Sequence, residues 1–339
     1  MSFDPSQRKP VGKRGAWVSR LGIGTSPFGA LTESPGEAVV ASTMEAARAA
    51  GLRYFDTAPF YGRGLAEQRL GQGLRAFARD EVTVSTKVGR LFAPDLTKPF
   101  AAPARERPFP MVYDYTYDAT MRSLEHSLLR LDTGRIDIVF IHDVNQRWQG
   151  DQLEARYVEA MGGAHRALAK LRDEGVIKAF GVGVNDPQIL MRFAGDGDFD
   201  CFMLAHRYTL LDHAALDRFL PDCERRGIAV FAVAPYNSGI LATGARPGAT
   251  FLYDEASPEI MERTARIEAV CARHATPLPA AALQLAAFHP AVASVVVGMR
   301  NATDLDQNVA YFRYPIPPAL WEELKQEGLL APDAPTANS

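Results

Sequence analysis

Short apolar runs alternate along the chain with longer amphipathic stretches, and this alternation predicts a repeated strand–helix fold. The predicted strands are Arg20–Gly24, Arg53–Thr57, Val82–Thr86, Ile136–Ile141, Ala179–Val182, Asp200–Leu204, Ile228–Val233 and Val292–Val297. Most are rich in Val, Ile and Phe without polar alternation, the pattern of parallel strands covered on both faces. Between them, Glu37–Ala50, Ala66–Phe77, Thr120–Leu131, Tyr157–Glu174 and Ala214–Arg226 repeat their apolar positions with the helical period. Three of these stretches end at Ala50-Gly51, Glu174-Gly175 and Arg226-Gly227, where glycine suits a left-handed helix C-cap. Strands that each lead into a helix predict an α/β protein built as a (β/α)8 barrel. An open doubly wound sheet is the rival arrangement.

No linker divides the chain, so residues 1–339 read as a single (β/α)8 barrel domain with a core over about 18–313. The proline-rich segment 90–111 falls between a strand and a helix; a loop of that length is expected to cover a site, the alternative being an insertion without a role. Residues 331–339 read as a loose tail. Hydrophobic residues at 47% and charged residues at 23% are ordinary for a globular protein, and the length suffices for a large core without staples. A formal net charge of −3 advertises neither a nucleic-acid surface nor an anionic-membrane surface. Cys201, Cys223 and Cys271 are odd in number and widely spaced, which fits a reducing compartment. No run approaches the roughly 20 apolar residues of a membrane span, and the N-terminal stretch lacks the apolar segment of a signal peptide. The expectation is a cytoplasmic protein acting on a small-molecule substrate, with its oligomeric state open.

In a barrel, reactive groups gather at the C-terminal ends of the strands. Asp56 ends the second predicted strand, and Tyr61 follows five residues later in the loop. Lys87 closes Ser-Thr-Lys after the third strand, and His142 closes Val-Phe-Ile-His after the fourth. Singly these residues read as a helix cap, a loop tyrosine, a solvated lysine and a structural histidine. Together they form a coherent set. A free phenol has a pKa of about 10, too high for an efficient base near neutrality. A neighbouring ammonium favours phenolate, and a carboxylate holds that ammonium in place. A neutral histidine can donate to a substrate oxygen on which charge develops. Proton exchange at Tyr61 then accompanies hydride transfer, which needs a cofactor because no side chain carries hydride. A Rossmann site is not expected: Gly22-Ile-Gly24-Thr-Ser-Pro27 and Gly181-Val-Gly183 both depart from GxGxxG.

The chain resembles the aldo-keto reductases from about Val18 to Phe312. Phe55-Asp56-Thr57-Ala58, with Tyr61-Gly62 and Glu67, is similar to the family's first signature, and Lys87 and His142 fall at its other catalytic positions. Thr86-Lys87-Val88-Gly89-Arg90, Asp114-Tyr115-Thr116-Tyr117-Asp118, His142-Asp143, Arg207-Tyr208-Thr209-Leu210-Leu211 and Asn237-Ser238-Gly239-Ile240-Leu241 resemble the D-threo-aldose (L-fucose) 1-dehydrogenases within it. The resemblance implies a barrel that binds a nicotinamide cofactor without a Rossmann domain and oxidises the anomeric carbon of an aldose to a lactone. It implies cofactor contacts from Gly24 and Thr25 and a carboxamide grip from Asn185. It also implies ring stacking by Tyr208 and pyrophosphate donors from Asn237, Ser238, Gly239 and Leu241. Gly298, Arg300, Asp304 and Asn308 are implied around the adenosine end.

Two positions depart from that pattern. Ala205 stands where many relatives carry a glutamine, and Asp304 where NADP-preferring relatives carry an arginine. A carboxylate repels a 2′-phosphate and accepts a hydrogen bond from a ribose hydroxyl, so NAD is expected over NADP. Arg300 is the counterweight, because it can pair with a phosphate. Phe28, Phe60 and His142 are the expected substrate-pocket residues, with the 90–111 loop as a further wall. Oxidation of a non-sugar alcohol or hemiacetal such as pyridoxal, or aldehyde reduction, is the alternative within the class. A metal-dependent hydrolase is the weaker class, since no HxH or HxxEH pattern accompanies His142, Asp143 and His206, and no metal is expected. A cofactor-binding regulatory barrel is the non-enzymatic alternative.

Overall fold

The computed structural model describes residues 3–29, 35–92 and 110–337. Eight parallel strands close into a barrel: β1 (Leu21–Gly24), β2 (Tyr54–Asp56), β3 (Thr83–Val88), β4 (Ile138–His142), β5 (Ala179–Val184), β6 (Cys201–Ala205), β7 (Ala229–Val233) and β8 (Val292–Gly298). Each strand pairs with the next in sequence, and β8 closes on β1 through Gly298 opposite Gly24. All eight sequence-predicted strands are therefore present, and the open-sheet alternative is excluded. The chain forms a (β/α)8 barrel.

Strand register fixes the geometry of the barrel's mouth. Asp56 lies opposite Ser85, Lys87 opposite Phe140, and His142 opposite Gly183. Side chains alternate along a strand, so Ser85 and Lys87 share the face on which Asp56 points, as do Phe140 and His142. Tyr54, Ile138, Phe140, Met203 and Phe231 fill the barrel below this level. Their rings interlock, with Phe231 centred 5.0 Å from Tyr54 and 5.4 Å from Phe140. The larger apolar core lies outside the sheet, between strands and helices.

The expected C-caps are present. Gly51, Gly175 and Gly227 all take positive φ, where a Cβ would be strained. The stretch expected as one helix over Tyr157–Glu174 is interrupted: Leu153–Glu159 passes through a π-helical turn, Ala160–His165, into Arg166–Asp173. Within that turn the Ala164 amide leaves the helix to donate to the Tyr115 carbonyl at 2.8 Å, a tertiary bond that periodicity does not announce.

The polar N-terminal stretch forms a hairpin, Arg8–Val11 paired with Ala16–Ser19. Its Val11, Ala16 and Val18 pack into the interior cluster, and Thr83 at the start of β3 donates to the Trp17 carbonyl, so the hairpin plugs the barrel's foot. The expectation of a loose tail needs correction through residue 337, since Ala334 and Thr336 are buried. Small residues carry no periodic signal, which hid this docking from the sequence. Most of the 90–111 loop lies outside the described residues; its ends, Arg90–Phe92 and Met111–Tyr113, pair as a short antiparallel ladder. Among the described residues no helix is long and apolar enough to cross a membrane.

Candidate active site

At the C-terminal mouth, one cleft of about 1140 Å3 is lined by Asp56, Tyr61, Lys87 and His142 together. Lys87 is 2% exposed, yet its ammonium is fully engaged, donating to Asp56 Oδ2 at 2.7 Å and to the Thr57 carbonyl at 2.9 Å. The second Asp56 oxygen accepts from Ser85 Oγ at 2.7 Å, so the buried carboxylate is satisfied on both sides. Such a pair is held by its partners: removing one charge would strand the other at a cost of about 3–5 kcal/mol.

Tyr61 reaches this pair from the loop after β2, with the Lys87 ammonium 4.8 Å from its ring centroid. Backbone contact pins the loop. A Cβ at Gly62 (φ +59°) would come within 2.2 Å of the Gly29 carbonyl, and one at Gly29 within 2.6 Å of the Tyr61 carbonyl carbon. Only two glycines allow the segments to approach so closely. Burial raises the phenol's pKa above its usual value; the Lys87 charge and hydrogen bond oppose this, while Asp56 adds to it. Lys87 thus favours the phenolate, in the expected direction, while desolvation outweighs it and the resting group is a neutral phenol.

His142 is 8% exposed and meets the Tyr61 ring edge-on, with centroids 6.4 Å apart. Burial, with Lys87 and Arg90 nearby, holds its pKa well below the ordinary histidine value, so the imidazole is neutral and can donate one N–H. Its carbonyl accepts from Tyr115 Oη at 2.7 Å, and Gln149 donates to that hydroxyl at 3.1 Å. Tyr115 thus buttresses the end of β4. Glu67 plays a comparable part, accepting from Thr86 Oγ1 at 2.7 Å and Arg130 Nε at 2.5 Å beside Lys87.

The sequence-predicted binding residues divide. Gly24, Asn185, Ser238, Gly239 and Gly298 line the cleft, as does Phe60. Asn145 donates to Asn185 Oδ1 at 2.9 Å, which leaves the Asn185 amide N–H groups for a carbonyl acceptor. Asn237, Ser238 and Gly239 take positive φ (46°, 65° and 115°); the Asn237 and Gly239 amides donate within the turn, to the Ala234 and Tyr236 carbonyls at 3.1 and 2.9 Å, and a Cβ at Gly239 would meet nothing within 4 Å. The turn leaves open space on the cleft wall at Gly239.

Other predicted residues lie elsewhere. Thr25 is fully buried and bonds the Asp56 carbonyl through both its amide and its hydroxyl, so it holds β2 in place. Phe28 is fully buried in the outer core and does not line the cleft. Tyr208, expected on the nicotinamide ring, is also in that core, beyond His206, whose φ of +65° breaks the strand's alternation. Pro235 and Tyr236 line the cleft instead. Asn237 and Leu241 are buried supports, with Asn237 Nδ2 donating to the His206 carbonyl at 3.0 Å. Arg300, Asp304 and Asn308 sit beyond Gly298 rather than on the cleft wall, joined to it by Tyr236, whose hydroxyl donates to Asn308 Oδ1 at 2.6 Å.

Arg90, at the start of the loop expected as a wall, lines the cleft, as do Asp143 and His206, weighed only as metal ligands, and Trp148 and Tyr253, for which no site role is expected from the sequence. Burial pushes the His206 imidazole down to about 4. His142 Nε2 lies 3.4 Å from Asp143 Oδ2, yet among the described residues no group of three His, Cys, Asp or Glu side chains is placed to hold a metal ion.

Comparison with known proteins agrees with this architecture. The chain is 38% identical to a pyridoxal 4-dehydrogenase from Microbacterium luteolum, over 98% of this chain and 100% of the relative. It is 36% identical to a D-threo-aldose 1-dehydrogenase from a Pseudomonas species, over 93% and 96% of the two chains. Among solved structures, a holo aldo-keto reductase from Bacillus halodurans superposes with a TM-score of 0.75 at 20% identity, covering 95% of each chain. A glycerol dehydrogenase from Gluconobacter oxydans matches with a TM-score of 0.73 at 19% identity over 98% and 99% of the chains, which extends the likeness of fold. The aldo/keto reductase family profile matches residues 20–327, and with these relatives it establishes that the chain belongs to the aldo/keto reductase family of nicotinamide-dependent oxidoreductases.

Proposed function

We propose that this oxidoreductase removes hydride from the anomeric carbon of an aldose of the L-fucose or D-threo type, giving the lactone, with NAD preferred as acceptor. The observation that carries the chemistry is the buried Asp56–Lys87 pair beneath Tyr61 at the floor of the cleft. Asp56 fixes Lys87, and Lys87 stabilises the Tyr61 phenolate against the burial that opposes it. Tyr61 takes the proton of the anomeric hydroxyl, and neutral His142 donates to the same oxygen and orients it. Nicotinamide, when bound, supplies the hydride acceptor. Gly24, Asn185, Ser238, Gly239 and Gly298 would hold the cofactor along the cleft. The wall supports a sugar: Phe60 and Trp148 offer apolar faces, and Arg90 and Asp143 offer hydroxyl partners.

Pyridoxal is the second reading, favoured by the same rings, which suit a flat heteroaromatic substrate, and by the relative named for that activity. A screen of NAD reduction with L-fucose, D-arabinose and pyridoxal distinguishes them. Turnover of the pyranoses supports the aldose reading, and activity on pyridoxal alone overturns it.

A further inference from the structure

Arg90 and Asp143 form a buried ion pair on the cleft wall that the tetrad's chemistry does not use. Arg90 follows β3 and is 3% exposed; its guanidinium carbon lies 3.6 Å from the Phe60 ring centroid, 4.9 Å from that of Trp148 and 5.2 Å from that of Tyr113. Its Nε is buried and has no hydrogen-bond partner among the described residues. Asp143 directly follows His142 and takes a φ of +58°, so a non-glycine residue is held in a left-handed conformation. That conformation brings Asp143 Oδ2 within 3.4 Å of His142 Nε2 while it also pairs with Arg90 Nη1.

Several costs meet here. A left-handed non-glycine residue is strained, a buried ion pair contributes little net stability, and an unpartnered buried N–H is unfavourable. Strain and unsatisfied polarity at the rim of a reactive centre point to ligand recognition. The pair is neutral as a whole, which does not favour an anionic substrate. It presents a fixed acceptor and a fork of donors beside the atom that orients the substrate oxygen.

From this geometry we infer that Arg90 and Asp143 read a hydroxyl on the carbon next to the one oxidised, making the enzyme selective for α-hydroxylated, uncharged substrates. Asp143 accepts from that hydroxyl and Arg90 donates to its oxygen, while Phe60 and Trp148 pack on the adjoining apolar surface. The inference deepens the proposed function and rests on the family's oxidoreductase chemistry at this cleft. It applies equally in the reductive direction to α-hydroxyaldehydes.

The test measures kcat/KM in both directions on matched substrates: L-fucose against 2-deoxy-L-fucose for oxidation, and lactaldehyde against propionaldehyde for reduction. The wild type is expected to favour the hydroxylated member of a pair by about 100-fold, because a site built around a hydroxyl leaves its polar groups unpaired when the hydroxyl is missing. Asp143→Asn keeps a residue that tolerates the left-handed backbone, and it should reduce the preference below about tenfold. Arg90→Met with Asp143→Asn, which removes the charged pair altogether, should abolish it. Thermal melting and cofactor-fluorescence titration confirm that each variant is folded and binds dinucleotide. An unchanged preference in the variants, with both members losing rate equally, would show a purely structural pair and overturn the inference. So would a wild type without preference on whichever pair it turns over. If neither sugar reacts but the aldehydes do and show the preference, the aldose reading fails while this inference stands.

Discussion

Arg300 wraps its guanidinium around Asp304, donating from Nε at 2.8 Å and from Nη2 at 3.1 Å, so one carboxylate engages two edges of the cation. Arg300 in turn holds the Asp304 carboxyl below the usual carboxylate range. The pair is a weak one for stability, because the arginine is 72% exposed and surface pairs contribute at most about 1 kcal/mol. In the proposed reading its weight falls on cofactor choice, since a 2′-phosphate brought to Arg300 would compete with Asp304 and be repelled by it.

Asp304→Ala should therefore raise kcat/KM with NADP relative to NAD by about tenfold, equivalent to ~1.4 kcal/mol. Steady-state kinetics with both cofactors measure this. A wild type that already prefers NADP clearly would refute the NAD assignment.

Tyr61→Phe removes the hydroxyl and keeps the ring. The expected loss in kcat is about 10²–10⁴-fold, with dinucleotide affinity within about twofold of wild type, since only proton transfer is lost. Fluorescence titration of the reduced cofactor separates the two effects. Substantial remaining turnover would place the base elsewhere.

Burial raises the Tyr61 phenol, with Lys87 as its main opposing influence, and this fixes the sign of the pH dependence. Oxidation needs the phenolate, so its rate should climb on the alkaline side as pH approaches the phenol's pKa. Carbonyl reduction needs the phenol and should not show that rise. Lys87→Met removes the lowering influence, so the oxidation profile should move further alkaline as well as fall in height. A fall in rate with an unmoved profile would argue against the tuning role.

Gly62→Ala adds only a methyl group, yet that carbon would come within 2.2 Å of the Gly29 carbonyl in a left-handed residue. The loop must shift, at a cost of about 1–3 kcal/mol. Denaturant unfolding should report that destabilisation, and kcat should fall by about tenfold or more as Tyr61 leaves its place. Wild-type kcat in this variant would mean that the close backbone contact does not position the tyrosine.

The scaffold was legible because parallel strands write themselves as short Val- and Ile-rich runs, and because strand ends mark the mouth of a barrel. That reasoning brought Asp56, Tyr61, Lys87 and His142 to one cleft, where the structure also finds them. It failed where local backbone changes which way a side chain faces. The left-handed His206 sends Tyr208 into the outer core, and the turn Ser26–Gly29 buries Phe28. Neither inversion leaves a mark in hydrophobic periodicity. The pairing of Asp143 with Arg90 was not legible either, since a residue following a strand-end histidine carries no signal that it will turn back over the cleft. The role of the Asp114–Asp118 motif is not legible from its residues alone. Its Tyr115 supports the His142 carbonyl from another segment, a long-range bond that sequence spacing does not encode.

The N-terminal hairpin that fills the foot of the barrel also keeps that end dry. Above it, Tyr54, Phe140 and Phe231 occupy the interior up to the floor of the cleft. A charge buried at that floor is felt more strongly when no water stands behind it. Val11, Ala16 and Val18, far from the chemistry, thus help to set the electrical surroundings of a reaction they never touch.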